Sequence, residues 1–207
     1  MTWQMIALSV AGTPVRRARA APPFPRANEA YDTLPQNSDD TLATDVNKGL
    51  EVYVDSSWAA KFSCSGALYF YHGCMIHWFA KMQKSVTLSS AEAEFFGAML
   101  AAKDAIFLRE LLIDLDITVA GPTVLYCDSK SAVDLAFDPV AFKNTKHILR
   151  AAEFLRDLVA RRVVTVKHVK GTVMLADILT KACARAIFVE LLRLLDDYAT
   201  SGQVVVS

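Results

Sequence analysis

The chain has no net charge, its 22 Lys and Arg being matched by 22 Asp and Glu, so no global basic field draws it to nucleic acid. Any such binding has to be local and salt-sensitive. It also lacks an uninterrupted apolar run near the roughly 18 to 20 residues that a bilayer span requires, which argues against a membrane segment. The opening MTWQMIALSVAG is apolar but has no basic start, unlike a secretory signal. Only four cysteines occur, at 64, 74, 127 and 183. They form no CxxC pair and no zinc spacing, so no disulfide framework is implied and they read as reduced, mostly buried thiols in an intracellular protein. No internal repeat is present.

What the chain does have is apolar residues, 53% of 207, above the ~45–50% of ordinary globular chains and enough for a sizeable core. They are unevenly spread. Residues 1 to 47 hold five of the seven prolines (Pro14, Pro22, Pro23, Pro25 and Pro35) and then a polar stretch, so they read as a tail or linker. Residues 48 to 200 read as the domain.

In that domain LEVYVDSSW alternates like a strand, and SGALYFYHG and MIHWFAK supply two more, joined around Gly73. A long helix follows from about Ser90 to Leu115. Then come the strand TVLYC, a short helix SAVDLAF, a break at Asp138-Pro139 and a helix from about Lys146 to Arg161. The strand VVTVKHV and a helical stretch from Val173 to about Tyr198, interrupted near Cys183, complete the order. Three antiparallel strands followed by strands alternating with helices predict an α/β fold with a mixed five-stranded sheet flanked by helices.

Four acids in this frame sit where strand or helix would turn them inward: Asp55, Glu94, Asp128 and Asp177. A cluster of desolvated carboxylates is unfavourable unless a cation joins it, so a buried quartet points to a divalent metal. Asp55 ends the first strand, on the face of Glu51 and Tyr53 and opposite Val52 and Val54. As the first residue of Asp-Ser-Ser it suits a turn equally well.

The long helix carries two glutamates two positions apart, hence on nearly opposite faces. Ser89 with Glu92 fits a capping box, and Glu92 shares a stripe with Lys103, Glu110 and Asp114 that reads as the solvated side. Glu94 shares its stripe with Gly97, Ala98, Ala101, Ala105, Leu108 and Leu112, whose small residues allow close approach to the sheet; a first-turn acid favoured by the helix dipole is the other reading. Asp128 follows TVLYC at the carboxyl end of a strand, where α/β sheets build their sites, although it could instead cap the next helix. Asp177 lies one turn inside its expected helix, flanked by Leu175, Ala176, Ile178 and Leu179.

Together these segments resemble the ribonuclease H domain of Ty1/copia-type retrotransposon Pol polyproteins. VYVDSSWAA resembles that family's opening strand, HWFAKMQKSVTLSSAEAEFFG its third strand and glutamate helix, and VLYCDSKSAVDLA its third acidic motif. NTKHI, FLRDLV and VTVKHVKGTVMLADILTK resemble its closing segments. The similarity covers about residues 48 to 183.

The resemblance implies a ribonuclease H-like fold in which Asp55, Glu94, Asp128 and Asp177 bind two Mg²⁺ ions, or Mn²⁺ in their place, and cleave the RNA strand of an RNA–DNA hybrid. It implies a reverse transcriptase domain of the parent polyprotein as partner. Ser129, Lys130, Lys146, His147 and Lys170 are the expected nucleic-acid contacts. The chain departs from the pattern at Ser57 and Leu149, where the family usually has aspartate, in a short first hairpin, and in KGTVMLAD, which lacks the histidine of cellular ribonucleases H. His168, upstream on a strand, is expected to be a packed or supporting residue. A catalytically inactive hybrid-binding remnant of a retroelement is the competing reading.

Overall fold

Alternation, turn chemistry and helical stripes resolve into five strands and five helices in the computed structural model, which describes residues 49–59, 62–84, 86–137 and 146–201. The expected tail (1 to 47), the Asp138-Pro139 break and the side chains of Lys146 and His147 lie outside the described residues.

The strands are β1 (Leu50–Ser57), β2 (Cys64–Tyr71), β3 (Cys74–Met82), β4 (Thr123–Cys127) and β5 (Val164–His168). They form one sheet in the order β3-β2-β1-β4-β5. β1 pairs antiparallel with β2, and β2 with β3, through the hairpin turn at His72 and Gly73. β4 lies parallel to β1, and β5 parallel to β4. This is the mixed five-stranded sheet that the strand order predicts.

The helices α1 (Ser90–Asp114), α2 (Lys130–Phe137), α3 (Lys146–Ala160), α4 (Asp177–Thr180) and α5 (Arg185–Ser201) cover both faces. Because β1 alternates, Val52 and Val54 face one core with Ala98, Ala101 and Ala105 of α1 and Leu155 of α3. Tyr53 faces the other, with Leu68, Phe70, Tyr126, Leu175, Leu191, Leu194 and Tyr198. Each fully buried leucine, such as Leu155 or Leu194, contributes roughly 1.5–3 kcal/mol.

The second core holds a polar anchor. The Glu51 carboxylate, buried on β1, accepts a hydrogen bond from Tyr126 Oη at 3.0 Å and another from Tyr198 Oη of α5. A carboxylate with two phenol donors is satisfied where an unpaired one would not be.

Two expectations need correction. The final helical stretch does not start at Val173: a short 3-10 turn (Gly171–Val173) is followed by α4 and then α5, so Asp177 opens α4 and is not a turn inside it. The chain bends there because Val173, Met174, Leu175 and Ala176 are all buried, which an unbroken helix with one inward stripe would not permit. Glu92 is not solvated either; it is 3% exposed. Its Oε2 accepts from the Leu88 N–H at 2.7 Å, while its own N–H donates to Ser89 Oγ at 3.2 Å. The capping role stands, and it is capping that folds Glu92 back against the chain.

Candidate active site

At the carboxyl ends of β1 and β4 the sheet brings the four acids together from four elements. Carboxylate oxygens of Asp55 (β1), Asp128 (after β4) and Asp177 (α4) all lie within 4.8 Å of one another. Ligand atoms of Glu94 (α1), Cys127 and Asp128 form a second group within the same limit. Asp128 belongs to both. Asp55 is fully buried, Glu94 nearly so, and Asp128 and Asp177 are half-buried at the rim.

Each acid is held by local structure. Glu94 Oε2 accepts from the Ser56 N–H at 3.1 Å, a contact that requires α1 to lie almost on β1. Gly97 permits it, because a β-carbon there would collide with Ser56 Oγ. Asp128 is free for other work because the cap of α2 falls to its neighbour: Ser129 Oγ accepts from the Ala132 N–H at 3.3 Å.

α4 docks against β2 at Gly66, where a β-carbon would meet Leu179 Cβ at 2.7 Å. Gly66 is the cross-strand partner of Asp55, so that close approach sets α4 directly over the fully buried acid. Thr180 Oγ1 donates to Asp55 Oδ2. Lys181 Nζ lies 3.1 Å from Asp55 Oδ1 and 2.7 Å from Asp177 Oδ1.

Crowding of like charges shows in proton affinity. Burial, with Asp55 and Asp128 beside it, pushes the Glu94 carboxyl up to about 9. Burial and then Asp55 raise Asp128, and burial raises Asp177 against the opposing hydrogen bond from Lys181. Burial disfavours the Lys181 charge, but Asp177 and Asp55 outweigh it and hold the ammonium above its ordinary range. Burial, then Glu94, raises the Cys127 thiol, and hard divalent cations such as Mg²⁺ take oxygen ligands in preference to sulfur.

Without the thiol the donor set is four carboxylates, hard oxygen ligands of the kind Mg²⁺ or Mn²⁺ takes. The residues fit a divalent cation.

Around this cluster, Ser129 is partly exposed and Lys130 and Lys170 are exposed. Lys170 precedes Gly171, where a β-carbon would come 3.5 Å from Asp128 Oδ2. His168 Nε2 lies 3.1 Å from the Asp128 carbonyl oxygen. A carbonyl only accepts, so that nitrogen carries the proton, and His168 supports the turn bearing Asp128, as the sequence suggested. Sequence reasoning missed Thr180 and Lys181. The one local signal was the i, i+4 spacing of Asp177 and Lys181.

No protein-family model matches the sequence. The chain is 34% identical over 143 residues to the retrovirus-related Pol polyprotein from transposon RE2 of Arabidopsis thaliana, covering 67% of this chain and 10% of that protein. It is likewise 34% identical over 140 residues to that from transposon TNT 1-94 of Nicotiana tabacum, covering 66% and 10%. The chain belongs to the retrotransposon Pol polyproteins.

This Pol segment spans about a tenth of the length of the curated relatives it matches. In fold it is similar to the N-terminal RNase H domain of a Mycobacterium tuberculosis protein, with a TM-score of 0.50 and 15% identity over 70% of this chain and 96% of that one. It is also similar to LC11-RNase H1, isolated from compost, with a TM-score of 0.51 and 16% identity over 65% and 93%. The Pol segment therefore has the ribonuclease H-like fold expected of it.

Proposed function

We propose that this Pol domain is a divalent-metal-dependent endonuclease that cuts the RNA strand of RNA–DNA hybrids within a longer polyprotein that also carries a reverse transcriptase domain. The observation that carries this reading is the convergence of Asp55, Glu94, Asp128 and Asp177, with Asp128 common to two groups of ligand atoms. Asp55, Glu94, Asp128 and Asp177 would hold two Mg²⁺ ions, which would supply water activation and stabilisation of the leaving oxygen of a phosphodiester.

The chain's own residues do the positioning. Glu94 is fixed by the Ser56 amide and Asp55 by β1 and Thr180, so the two most buried acids of the quartet are held in place. Asp128 and Asp177, half-buried, form the open side through which a phosphate reaches the cluster. Ser129, Lys130 and Lys170 border that side and offer donors and positive charge to the flanking phosphates. Lys146 and His147 complete the expected contact set. A hybrid is read mainly by shape and by 2′-hydroxyls across its minor groove, so cutting shows little sequence preference.

The test is cleavage of a labelled RNA–DNA hybrid with Mg²⁺ by the wild-type chain and by Asp128→Asn, with duplex DNA as control. Hybrid-only cleavage that the substitution abolishes is the expected result. No cleavage by a folded wild-type protein, alone or joined to its reverse transcriptase domain, sinks the nuclease reading and leaves the inactive remnant.

A further inference from the structure

Lys181 is the one basic side chain with its charged end inside the acid cluster among the described ion pairs. It leaves α4 at the helix's C-terminal cap and reaches back over it. Its Nζ makes charge-assisted contacts at 3.1 Å to Asp55 Oδ1 and 2.7 Å to Asp177 Oδ1. Those carboxylates belong to one of the two candidate ligand groups.

A compact, strongly hydrated point charge on a flexible stem is the protein's nearest equivalent of a small bound cation. Asp55 is fully buried, whereas the Lys181 side chain is 41% exposed. The acid cannot retreat to water and the lysine can.

We propose that Lys181 is a tethered counter-cation: it neutralises Asp55 and Asp177 when that side of the site holds no metal, and it swings to solvent when a divalent cation loads there. This rests on the metal-site reading above and adds a positioning residue to it. An ammonium and a divalent ion cannot share the same two carboxylate oxygens at contact distance, since like charges so close repel strongly. Metal loading at the Asp55–Asp177 side is therefore an exchange of one cation for another. The tether stabilises the metal-free domain at the expense of metal affinity.

The test is calorimetric titration of Mg²⁺ into the wild-type chain and into Lys181→Met and Lys181→Gln, with thermal midpoints of each in EDTA and in saturating Mg²⁺. Both variants are expected to bind Mg²⁺ about tenfold more tightly, equivalent to about 1.4 kcal/mol. They are expected to melt below wild type in EDTA and to close that gap in Mg²⁺. Equal or weaker binding by folded variants overturns the proposal while leaving the metal site standing. Absence of Mg²⁺ binding in every form overturns both.

A measurement on the wild-type chain needs no variant to fold. The rate at which an amine-directed acylating reagent modifies Lys181, followed by mass spectrometry, is expected to rise severalfold on adding Mg²⁺. An unchanged rate at a Mg²⁺ concentration shown by calorimetry to saturate the site overturns the exchange.

Discussion

Gly97 on α1 and Ser56 on β1 touch so closely that a single methyl group at residue 97 would strike the Ser56 hydroxyl. Ser56 Oγ is buried and hydrogen-bonded to Ser65 Oγ at 2.9 Å, and the Ser56 amide holds Glu94. The contact thus links helix packing to the placement of an acid. Gly97→Ala gains about 1 kcal/mol of helix propensity but forces Ser56 off its partner, an overpacking that typically costs about 1–3 kcal/mol. A net loss of stability in urea unfolding is expected. Because the same β-carbon would lie 3.5 Å from Ser56 Cβ, an ordinary contact, and 3.3 Å from Ser65 Oγ, a tight one, Ser56→Ala should rescue most but not all of the Gly97→Ala loss. Additive losses in the double mutant would refute the collision.

The acids also set how the metal-free domain responds to pH. In the fold Glu94 titrates near 9 instead of 4.5, so between those values the native state holds a proton that the unfolded state has released. Stability from this group is greatest below about pH 4.5 and falls as pH rises toward 9. Asp128 and Asp177, both raised, act in the same sense. In EDTA the melting temperature should fall between pH 6 and 9, and Glu94→Gln, which cannot ionise, should flatten the slope. A slope unaltered by that substitution would remove Glu94 as its source.

Asp128 and Asp177 should not be equivalent in cleavage. Asp128 contributes to both ligand groups and Asp177 to one. Asp128→Asn is expected to bring hybrid cleavage down to the metal-free background. Asp177→Asn should leave a rate between wild type and background, with part of it recovered at higher Mn²⁺. Equal loss in both, unrelieved by metal, would contradict the shared role of Asp128.

Far from the cluster, Glu51 depends on two phenols for its buried charge. Tyr198→Phe removes one and loosens α5, with an expected cost of about 1–3 kcal/mol and no change in Mg²⁺ affinity per folded molecule. Chemical unfolding with calorimetry on the same sample checks both halves.

How much of this the sequence revealed depended on the range of each interaction. β1 was legible because its two faces meet two different cores, so Val52 and Val54 on one side and Tyr53 on the other follow from alternation alone. Glu94 was separable from Glu92 because a helix two residues apart looks both ways. The acids' convergence followed from strand ends and from family likeness. Glu92 was misplaced on the solvated face because its side chain obeys the cap instead of the stripe. Lys181 escaped notice because its contact with Asp55 spans 126 residues of chain and hangs on Gly66, whose missing side chain gives no periodic signal. α4 was too short to show a helical pattern of its own.

That span has an entropic consequence. β1 pairs with β2 through a short connection, whereas bringing Asp55 and Asp177 together closes a long loop through α1, β4 and α3 at a greater entropic cost. Any cutting chemistry at this site is therefore reserved for the finished domain: a nascent or half-folded chain carries the same four acids and nothing to hold them together.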